Sequence, residues 1–445
     1  MQLQSSVAQG AMALIDDNDP VYRKIAWRLM PFLFVCYVFA YLDRVNVGFA
    51  ALHMKADLSF SDTVYGLGAG IFFFGYVCCE IPSNLLMKRL GARVTIARIM
   101  IGWGFVSCCT MLVHSPTSFY LMRLLLGAFE AGFAPGVLLY LTFWFPPARR
   151  AQMAAIFLCG SAIAGVAGAP LSGVILDAFH GIAGLQGWQW LFVIEGVPSI
   201  VLGLIALALL SDGPSTCKWL RPEEKVKVIQ HLASFQPAVD KGFLAALREP
   251  SIHLIALTWF TIVCGHNAVN FWMPMMLREA GLTTATQIGM WAVVPYAFTT
   301  IGMILISRHS DLRLERRIHI SVCSLLAAVG FGMLPFVQGH FGLSIFGLTL
   351  AALGVFSAMP IILAMPMSYL PAGATAGGIA YVNTIGMLGG FVGPYMMGAI
   401  KTATGSFANG LFAVTGLLLI GILIMTLMVR TPRLEPVLDA RVPAA

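Results

Sequence analysis

Residues 25–50 read IAWRLMPFLFVCYVFAYLDRVNVGFA, an almost continuous apolar run with only three charged side chains, Arg28, Asp43 and Arg44. A helix of about 20 apolar residues is long enough to cross the hydrocarbon core of a bilayer. Only helices and closed barrels satisfy their backbone hydrogen bonds in lipid, and a run of this length favours the helix. The segment is therefore predicted to be a membrane-spanning helix that carries an adjacent acid and base.

Eleven further runs of the same kind follow along the chain. They cover residues 64–87, 96–114, 118–143, 153–177, 190–210, 253–277, 288–307, 318–337, 343–367, 377–400 and 407–429. The composition agrees, because 58% of the residues are hydrophobic and only 11% are charged, whereas soluble proteins carry about 25% charged residues. We predict an all-α membrane protein of twelve transmembrane helices, numbered spans 1 to 12.

The Lys and Arg residues are distributed unevenly between the two sides of these spans. The connections after odd-numbered spans hold Lys55, Arg278 and Lys401, and Arg44 and Arg123 fall inside spans. The other 22 of the 27 basic residues lie in or beside the even-numbered connections and the two termini. Basic loops stay in the cytoplasm, so both termini are predicted to be cytoplasmic. The net charge of +7 is then a topology signal, and we expect no nucleic-acid partner.

One long hydrophilic connection follows span 6 and divides the chain into two halves of six spans, a pattern of transporters with internal repeats. Within it, RPEEKVKVIQHLASF (221–235) is predicted to form a short amphipathic connecting helix. The predicted domains are a cytoplasmic tail, a six-helix bundle, a cytoplasmic linker, a second six-helix bundle and a cytoplasmic tail, at residues 1–24, 25–210, 211–250, 251–430 and 431–445.

Little in the sequence supports a function other than transport. None of the nine cysteines has metal-ligand spacing or a plausible partner outside the membrane, so we expect no metal site. No zinc-binding histidine–glutamate motif and no nucleophile with a convincing base is present, so we expect no enzymatic activity and no cofactor other than protons as the coupling ion. The polar N-terminus predicts no cleaved signal peptide.

Six stretches resemble the major facilitator superfamily and, within it, the anion:cation symporter family. They are YLDRVNVGFA (41–50), GYVCCEIPSNLLMKRLGAR (75–93), LMRLLLGAFEAGFAPGVLLYLTFWFP (121–146), GWQWLFVIEG (187–196), SRHSDLRLERR (307–317) and NTIGMLGGFVGPYMMG (383–398). The resemblance covers residues 25–430. It implies two six-helix bundles and proton- or sodium-driven transport of organic anions such as tartrate, sugar acids, phthalate, hydroxyphenylacetate or sialic acid.

The resemblance also implies site residues and shows departures from the family. It places Tyr76 and Asn383 near the substrate. It implies cytoplasmic gating residues, for which we expect Arg89 and a cluster of Asp311 with Arg316 and Arg317. However, Lys88 stands where the family usually has an acid, and Leu312 and Leu314 replace a usual arginine and glycine. Span 5 lacks a glutamine and span 10 has Leu363 instead of a tryptophan, which makes a polyol substrate less favoured.

Six Asp, Glu and Arg side chains lie in the interior of predicted spans, away from the ends, and all are in the first half. They are Asp43, Arg44, Glu80, Arg123, Glu130 and Glu195. A charge at the bilayer centre costs at least about 2.5–3.5 kcal/mol on insertion scales, so such residues usually mark functional sites. Static ion pairs that hold helices together are the alternative, and for Glu80 and Glu195 the choice between function and structure stays open.

Helical phase separates the roles of these charges. Neighbours on a helix point about 100° apart, so Asp43 and Arg44 face different surroundings. We predict that Asp43 pairs with Arg123 of span 4, and that Arg44, with Tyr41 on the same face, binds a carboxylate through two parallel hydrogen bonds. Asp43 and Glu130 are the expected proton-coupling acids, Glu130 being the better desolvated, and Arg123 is a second expected contact for the anion.

In the second half, HNAVNFW (266–272) places His266 and Asn270 one turn apart in span 7. We expect them to face the substrate, although helix packing explains them equally well. The methionines of span 10, with Phe271 and Trp272, favour an aromatic acid or a short dicarboxylate, and core packing is again the alternative.

Together these observations predict a proton-coupled symporter that takes up a small organic anion by alternating access. It is expected to work as a monomer in a bacterial inner membrane, with the lipid bilayer and the anion as its partners. An anion exchanger or a sugar-acid symporter of the same fold is the nearest alternative, and a non-transporting receptor is a further one. Sodium in place of the proton stays open.

Overall fold

The computed structural model describes residues 19–235, 246–313, 315–370 and 372–429. The remainder of both tails, linker residues 236–245, Leu314, Pro371 and the side chains of Lys88, Ala148, Ala372 and Ala376 lie outside the described residues. Within these ranges every regular element is a helix.

The helices follow the predicted spans closely. Spans 1 to 6 are Pro20–Asp57, Asp62–Leu90, Ala92–Cys109, Pro116–Glu130 with Phe133–Thr142, Pro147–Leu158 with Gly160–Ala178, and Gly187–Leu209. Spans 7 to 12 are Pro250–Glu279, Ala285–Arg313, Arg317–Met333, Phe341–Ala364, Ala372–Thr404 and Phe407–Leu423. Eleven helices of the described residues are long and apolar enough to cross a membrane, which confirms the fold class. Span 11 is the twelfth predicted helix and runs for 33 residues.

Span 4 is interrupted at mid-depth. Glu130 is the last residue of its first helix, and Gly132 follows with a φ of 86°. This left-handed conformation favours glycine, and a Cβ there would lie 2.8 Å from the side chain of Ser83 in span 2. The break places the Glu130 carboxyl at the end of a helix inside the protein, where regular hydrogen bonding of the backbone is interrupted.

The two bundles contact each other toward one end of the molecule. We call the end that carries the loops around residues 88–98, 146–152 and 308–319 the basic end, and the opposite end the far end. In the far half, spans 2 and 11 pack so closely that a Cβ at Gly70 would lie 2.6 Å from the carbonyl oxygen of Phe391. The Tyr65 hydroxyl of span 2 also donates to the Phe271 carbonyl of span 7 at 2.7 Å.

Polar contacts close the far end. Lys401 of span 11 lies 3.1 Å from Glu279 and 3.9 Å from Asp62, which also pairs with Lys55. Asp177 at the end of span 5 accepts hydrogen bonds from the backbone N–H and the hydroxyl of Thr286, both at 2.7 Å, and so caps span 8 of the other bundle. These contacts tie the bundles together on this side.

The basic halves of the bundles are separate. Among the described residues, every hydrogen bond or ion pair between the two bundles lies at mid-depth or at the far end. The central space between the bundles therefore opens toward the basic end and is closed at the far end.

The predicted connecting helix is present at Pro222–Ala233 and docks on the first turn of span 1. Lys24 forms an ion pair with Glu224 at 2.8 Å, and Tyr22 lies 2.7 Å from His231. Asp19 also pairs with Lys227. The linker is thus attached to the first bundle at the basic end.

Candidate functional site

An ion pair joins spans 1 and 4 at the interior of the first bundle. Arg44 donates from Nε to Oε1 of Glu130 at 3.0 Å and also from Nη2 to the same oxygen. Only 2% of the Glu130 side chain is exposed, whereas Arg44 keeps 18% exposure. The other carboxyl oxygen of Glu130 has no hydrogen-bond partner among the described residues. The pair therefore has one sheltered member and one that solvent in the central space can reach.

Arg123 is a second guanidinium in the same region, and it is 1% exposed. Its Nε donates to the Gly68 carbonyl at 3.3 Å, but Nη1 and Nη2 have no partner in the described part of the chain. The Arg123 guanidinium lies 5.0 Å from the centroid of the Phe72 ring, and that of Arg44 lies 5.5 Å from the same ring. Buried N–H groups are nearly always hydrogen-bonded, so this pair of donors is suited to an anionic ligand.

Four polar side chains meet across the bundles beside these arginines. Tyr41 of span 1 lies 3.4 Å from Nε2 of His266. The Asn270 amide lies 3.1 Å from the same nitrogen, and the Tyr296 hydroxyl of span 8 donates to Asn270 Oδ1 at 3.3 Å. The predicted residues Tyr41, His266 and Asn270 are thus brought together, and all of them can donate to or accept from hydroxyl groups.

The predicted Asp43–Arg123 pair is wrong. Asp43 is fully buried and accepts hydrogen bonds from Trp103 Nε1 at 3.1 Å, from the Ser107 hydroxyl at 2.8 Å and from the Ser199 hydroxyl at 2.7 Å. These donors belong to spans 3 and 6, so Asp43 points into the interior of its own bundle. Three donors satisfy the carboxyl without an arginine, and the Arg123 guanidinium lies beside the rings of Phe72 and Phe271 instead.

Tyr76 lies against the charged pair, with the Arg44 guanidinium 5.6 Å from its ring centroid. Asn383 is half-buried in span 11, and the structure shows no hydrogen bond from it to the residues above. It does not join the cluster in this conformation, in which the basic halves of the bundles are apart.

The predicted latch between Asp311 and the two arginines does not form here. Arg316 donates to the Ala364 carbonyl and Arg317 donates to the Thr426 carbonyl at 2.9 Å, and both of these carbonyls lie near helix ends of their own bundle. Asp311 and Arg89 are exposed. The expectation is wrong for this conformation because unsatisfied helix-end carbonyls, which attract cations, bind the arginines instead.

Several residues of the site were missed by sequence reasoning. Trp103, Ser107 and Ser199 surround Asp43, and Tyr296 completes the cluster across the bundles. Serines and aromatic residues are common in membrane helices, so their type carried no signal. A buried acid needs hydrogen-bond donors. This requirement was the only signal for polar side chains on the neighbouring spans.

The geometry allows a charge exchange at Arg44. If Glu130 takes up a proton, the ion pair loses its Coulomb attraction and the Arg44 guanidinium becomes available to another carboxylate. No group of three or more potential metal ligands occurs among the described residues.

The chain matches known proteins over most of its length. The family model described as Major Facilitator Superfamily matches residues 33–394 and 283–443. The putative tartrate transporter of Agrobacterium vitis is 44% identical over 419 residues, which are 94% of this chain and 96% of that protein. The putative metabolite transport protein NicT of Pseudomonas putida is 39% identical over 424 residues, which are 94% of this chain and 95% of that protein.

A solved structure shares the fold. The bacterial homologue of the human lysosomal transporter Spinster, in an inward-facing and occupied conformation, superposes with a TM-score of 0.73 at 17% identity and covers 91% of this chain and 96% of its own. The transmembrane helices, the family match and the similarity to named transporters agree with one another. The chain therefore belongs to the Major Facilitator Superfamily and is a membrane transporter, not an enzyme.

Proposed function

We propose that this transporter carries a small dicarboxylate together with protons, and that Arg44, Arg123 and Glu130 perform the coupling. The observation that carries the proposal is the buried Arg44–Glu130 ion pair beside Arg123, whose two terminal nitrogens lack a partner among the described residues. A membrane protein retains such charges where they act on a substrate or an ion.

The proposed coupling uses one proton at Glu130. Protonation from the far side neutralises the carboxyl and frees Arg44, which then binds one carboxylate of the substrate. Without the anion, a protonated Glu130 leaves Arg44 as a second unpaired guanidinium beside Arg123 in the closed cavity, and each further uncompensated buried charge is strongly unfavourable. The loaded site, in contrast, has its charges balanced and passes through the closed state. On the basic side the proton and the anion leave, and the ion pair re-forms.

Two guanidiniums and a polar cluster favour a dicarboxylate that carries hydroxyl groups. Arg44 and Arg123 offer one bidentate site each for a carboxylate. Tyr41, His266 and Asn270 lie beside them and present groups that bind hydroxyls. The name of the Agrobacterium vitis relative, tartrate transporter, agrees with this class. Tartrate is therefore the first substrate to test.

The proposal includes an orientation. By the positive-inside rule, the basic end faces the cytoplasm, and the chain lies in a bacterial inner membrane. The conformation described above is then open to the cytoplasm. The site is formed by residues of one chain, and we propose that the monomer is the working unit.

Uptake by the purified full-length chain in proteoliposomes tests the function. Labelled tartrate is supplied with and without a pH gradient, acid outside, and benzoate is the comparison for an aromatic monocarboxylate. We expect the gradient to accelerate tartrate uptake, a protonophore to abolish the acceleration, and benzoate to compete weakly.

Glu130→Gln separates the coupling from substrate binding. This variant mimics the protonated acid, so it is expected to exchange tartrate across the membrane while losing the acceleration by the gradient. Glu80→Gln is the matched control, because Glu80 is a half-buried carboxyl of the same bundle. Gradient-driven uptake at the native rate in Glu130→Gln would refute the role of Glu130. A native protein that takes up benzoate but not tartrate would refute the substrate class.

A further inference from the structure

A second buried polar cluster lies inside the first bundle, away from the central space. It consists of Glu195 of span 6, Asp43 and Asn46 of span 1, Ser172 of span 5 and Ser199 of span 6, each at most 2% exposed. The coupling proposed above uses neither Glu195 nor Asn46.

The cluster is arranged as two contacts between antiparallel helices. Ser199 donates to Asp43 at 2.7 Å. One turn along each helix, Asn46 faces the carboxyl of Glu195. Because a helix rises 1.5 Å per residue, the two carboxyl groups are about 5–6 Å apart along the bundle axis. Glu195 lies nearer the far end than Asp43.

The two acids differ in their hydrogen bonding. Asp43 accepts from three donors, which favours its charged form. Among the described residues Glu195 accepts only from the Ser172 hydroxyl, at 2.7 Å, and its Oε2 has no partner. Neither the oxygen nor the nitrogen of the Asn46 amide forms a hydrogen bond within the same part of the chain. An Asn46 side chain that is 1% exposed and without a partner thus lies beside a carboxyl with one oxygen unpaired.

No positive charge compensates this pair in the described part of the chain. The titratable group that acts on Glu195 is Asp43 from span 1. Cys108 of span 3 lies near Asp43, and its thiol donates to the Val193 carbonyl. Span 5 contributes Ser172. Glu130 of span 4 acts on Asp43 as a further negative charge. Two carboxylates in such surroundings do not both ionise.

We propose that Glu195, positioned by Asn46 and Ser172, is a second proton-binding residue that shares one negative charge with Asp43. With Asp43 charged, Glu195 holds the proton on Oε2 and donates it to Asn46 Oδ1, which gives each of these two oxygens a partner. When the proton passes from Glu195 to Asp43, the negative charge moves to Glu195, which takes up the next proton from the far side. The pair thus conducts a proton from the far side toward the middle of the bundle. This role deepens the proposed proton coupling, but the proton site itself is testable without a substrate.

Infrared spectroscopy of the purified full-length chain tests the site. A buried protonated carboxyl gives a C=O stretching band that is separate from the carboxylate bands. We expect this band at neutral pH in the native protein, its loss in Glu195→Gln, and its retention in Glu80→Gln. Asn46→Leu, which removes the acceptor, should shift the band to higher frequency.

A separate measurement tests whether the charge of Asp43 affects the protonation of Glu195. In Asp43→Asn the neighbouring negative charge is gone, so the Glu195 band should disappear at a lower pH than in the native protein. Thermal unfolding shows whether each variant is folded. If Asp43→Asn does not fold, Ser172→Ala provides a milder perturbation of the Glu195 carboxyl.

Three results would overturn the proposal. One is a native carboxyl band that Glu195→Gln leaves unchanged. Another is a band whose pH dependence is the same in the native protein and in Asp43→Asn. The third is displacement of the band by sodium chloride at constant pH, which would assign the site to a sodium ion. Failure of tartrate uptake would refute the proposed substrate and leave these infrared results untouched.

Discussion

At the scale of single residues, the two arginines of the site differ in what binds them. Arg44 already has a carboxylate partner in Glu130, whereas the two terminal nitrogens of Arg123, near two aromatic rings, have no partner in the ranges that the structure describes. A lysine keeps the charge but cannot offer two parallel N–H groups to a carboxylate. The shape of the Arg123 guanidinium, and not only its charge, is therefore expected to matter.

Arg123→Lys is expected to weaken tartrate binding by roughly 10- to 100-fold, since a hydrogen bond to a charged group contributes about 1.5–3 kcal/mol. Titration calorimetry on the purified chain measures the loss. Arg98→Lys is the control, because Arg98 donates to Ser83 outside the site, at 2.9 Å. Equal affinities in the two variants would contradict a direct contact between Arg123 and the anion.

At the scale of elements, the linker helix Pro222–Ala233 is held to span 1 by charges that lie outside the membrane. The hydrogen bond from Lys24 holds the pKa of Glu224 below its usual range. A carboxyl whose pKa is lowered by docking contributes stability above its ordinary pKa and loses it as the pH falls through the lowered value. Docking of the helix should therefore weaken in acid and in high salt.

Hydrogen exchange of residues 222–233 measures this docking. Glu224→Gln should raise the exchange rate at neutral pH and remove most of its acid dependence. Glu223→Gln, on the exposed side of the same helix turn, should behave like the native chain. Unchanged protection in Glu224→Gln would show that the apolar face, with the buried Val228, holds the helix without the ion pairs.

At the scale of the whole molecule, closure of the far end depends on close helix contacts between the bundles. A Cβ at Gly289 of span 8 would collide with the carbonyl oxygen of Ala169 in span 5. Overpacking of this kind typically costs about 1–3 kcal/mol, and in a two-state transporter that energy falls on the closed far end alone. The population should therefore shift about 5- to 150-fold toward the state open at the far end.

Gly289→Val tests this shift through the distance between spin labels at Ser61 and Thr283, which lie in far-end loops of the two bundles. We expect longer distances and slower tartrate uptake. Gly416→Val is the matched control, because a Cβ at Gly416 of span 12 meets no heavy atom within 4 Å. Native-like distances in Gly289→Val would contradict the prediction, because the far-end contacts would then have adjusted to the larger side chain while the far end stayed closed.

Most of the fold was predictable because each span carries its own signal. Apolar length and the loop charges act locally, and neither depends on which helix packs beside which. The pairing of charges was less predictable. Helical phase correctly separated Asp43 from Arg44, yet it assigned Asp43 to Arg123, because the three donors on spans 3 and 6 are ordinary residues in the sequence.

The sequence by itself determined that the chain crosses the membrane many times, with its unusual charges in the first six spans. Hydrophobic burial in lipid leaves little choice in this, since a long apolar run cannot be soluble or irregular there. Only the tertiary structure decided which side is closed, that Glu130 rather than Asp43 binds an arginine, and that Asn46 faces Glu195. Those pairings depend on the rotation and depth of whole helices, which are fixed by close contacts between small residues of distant spans.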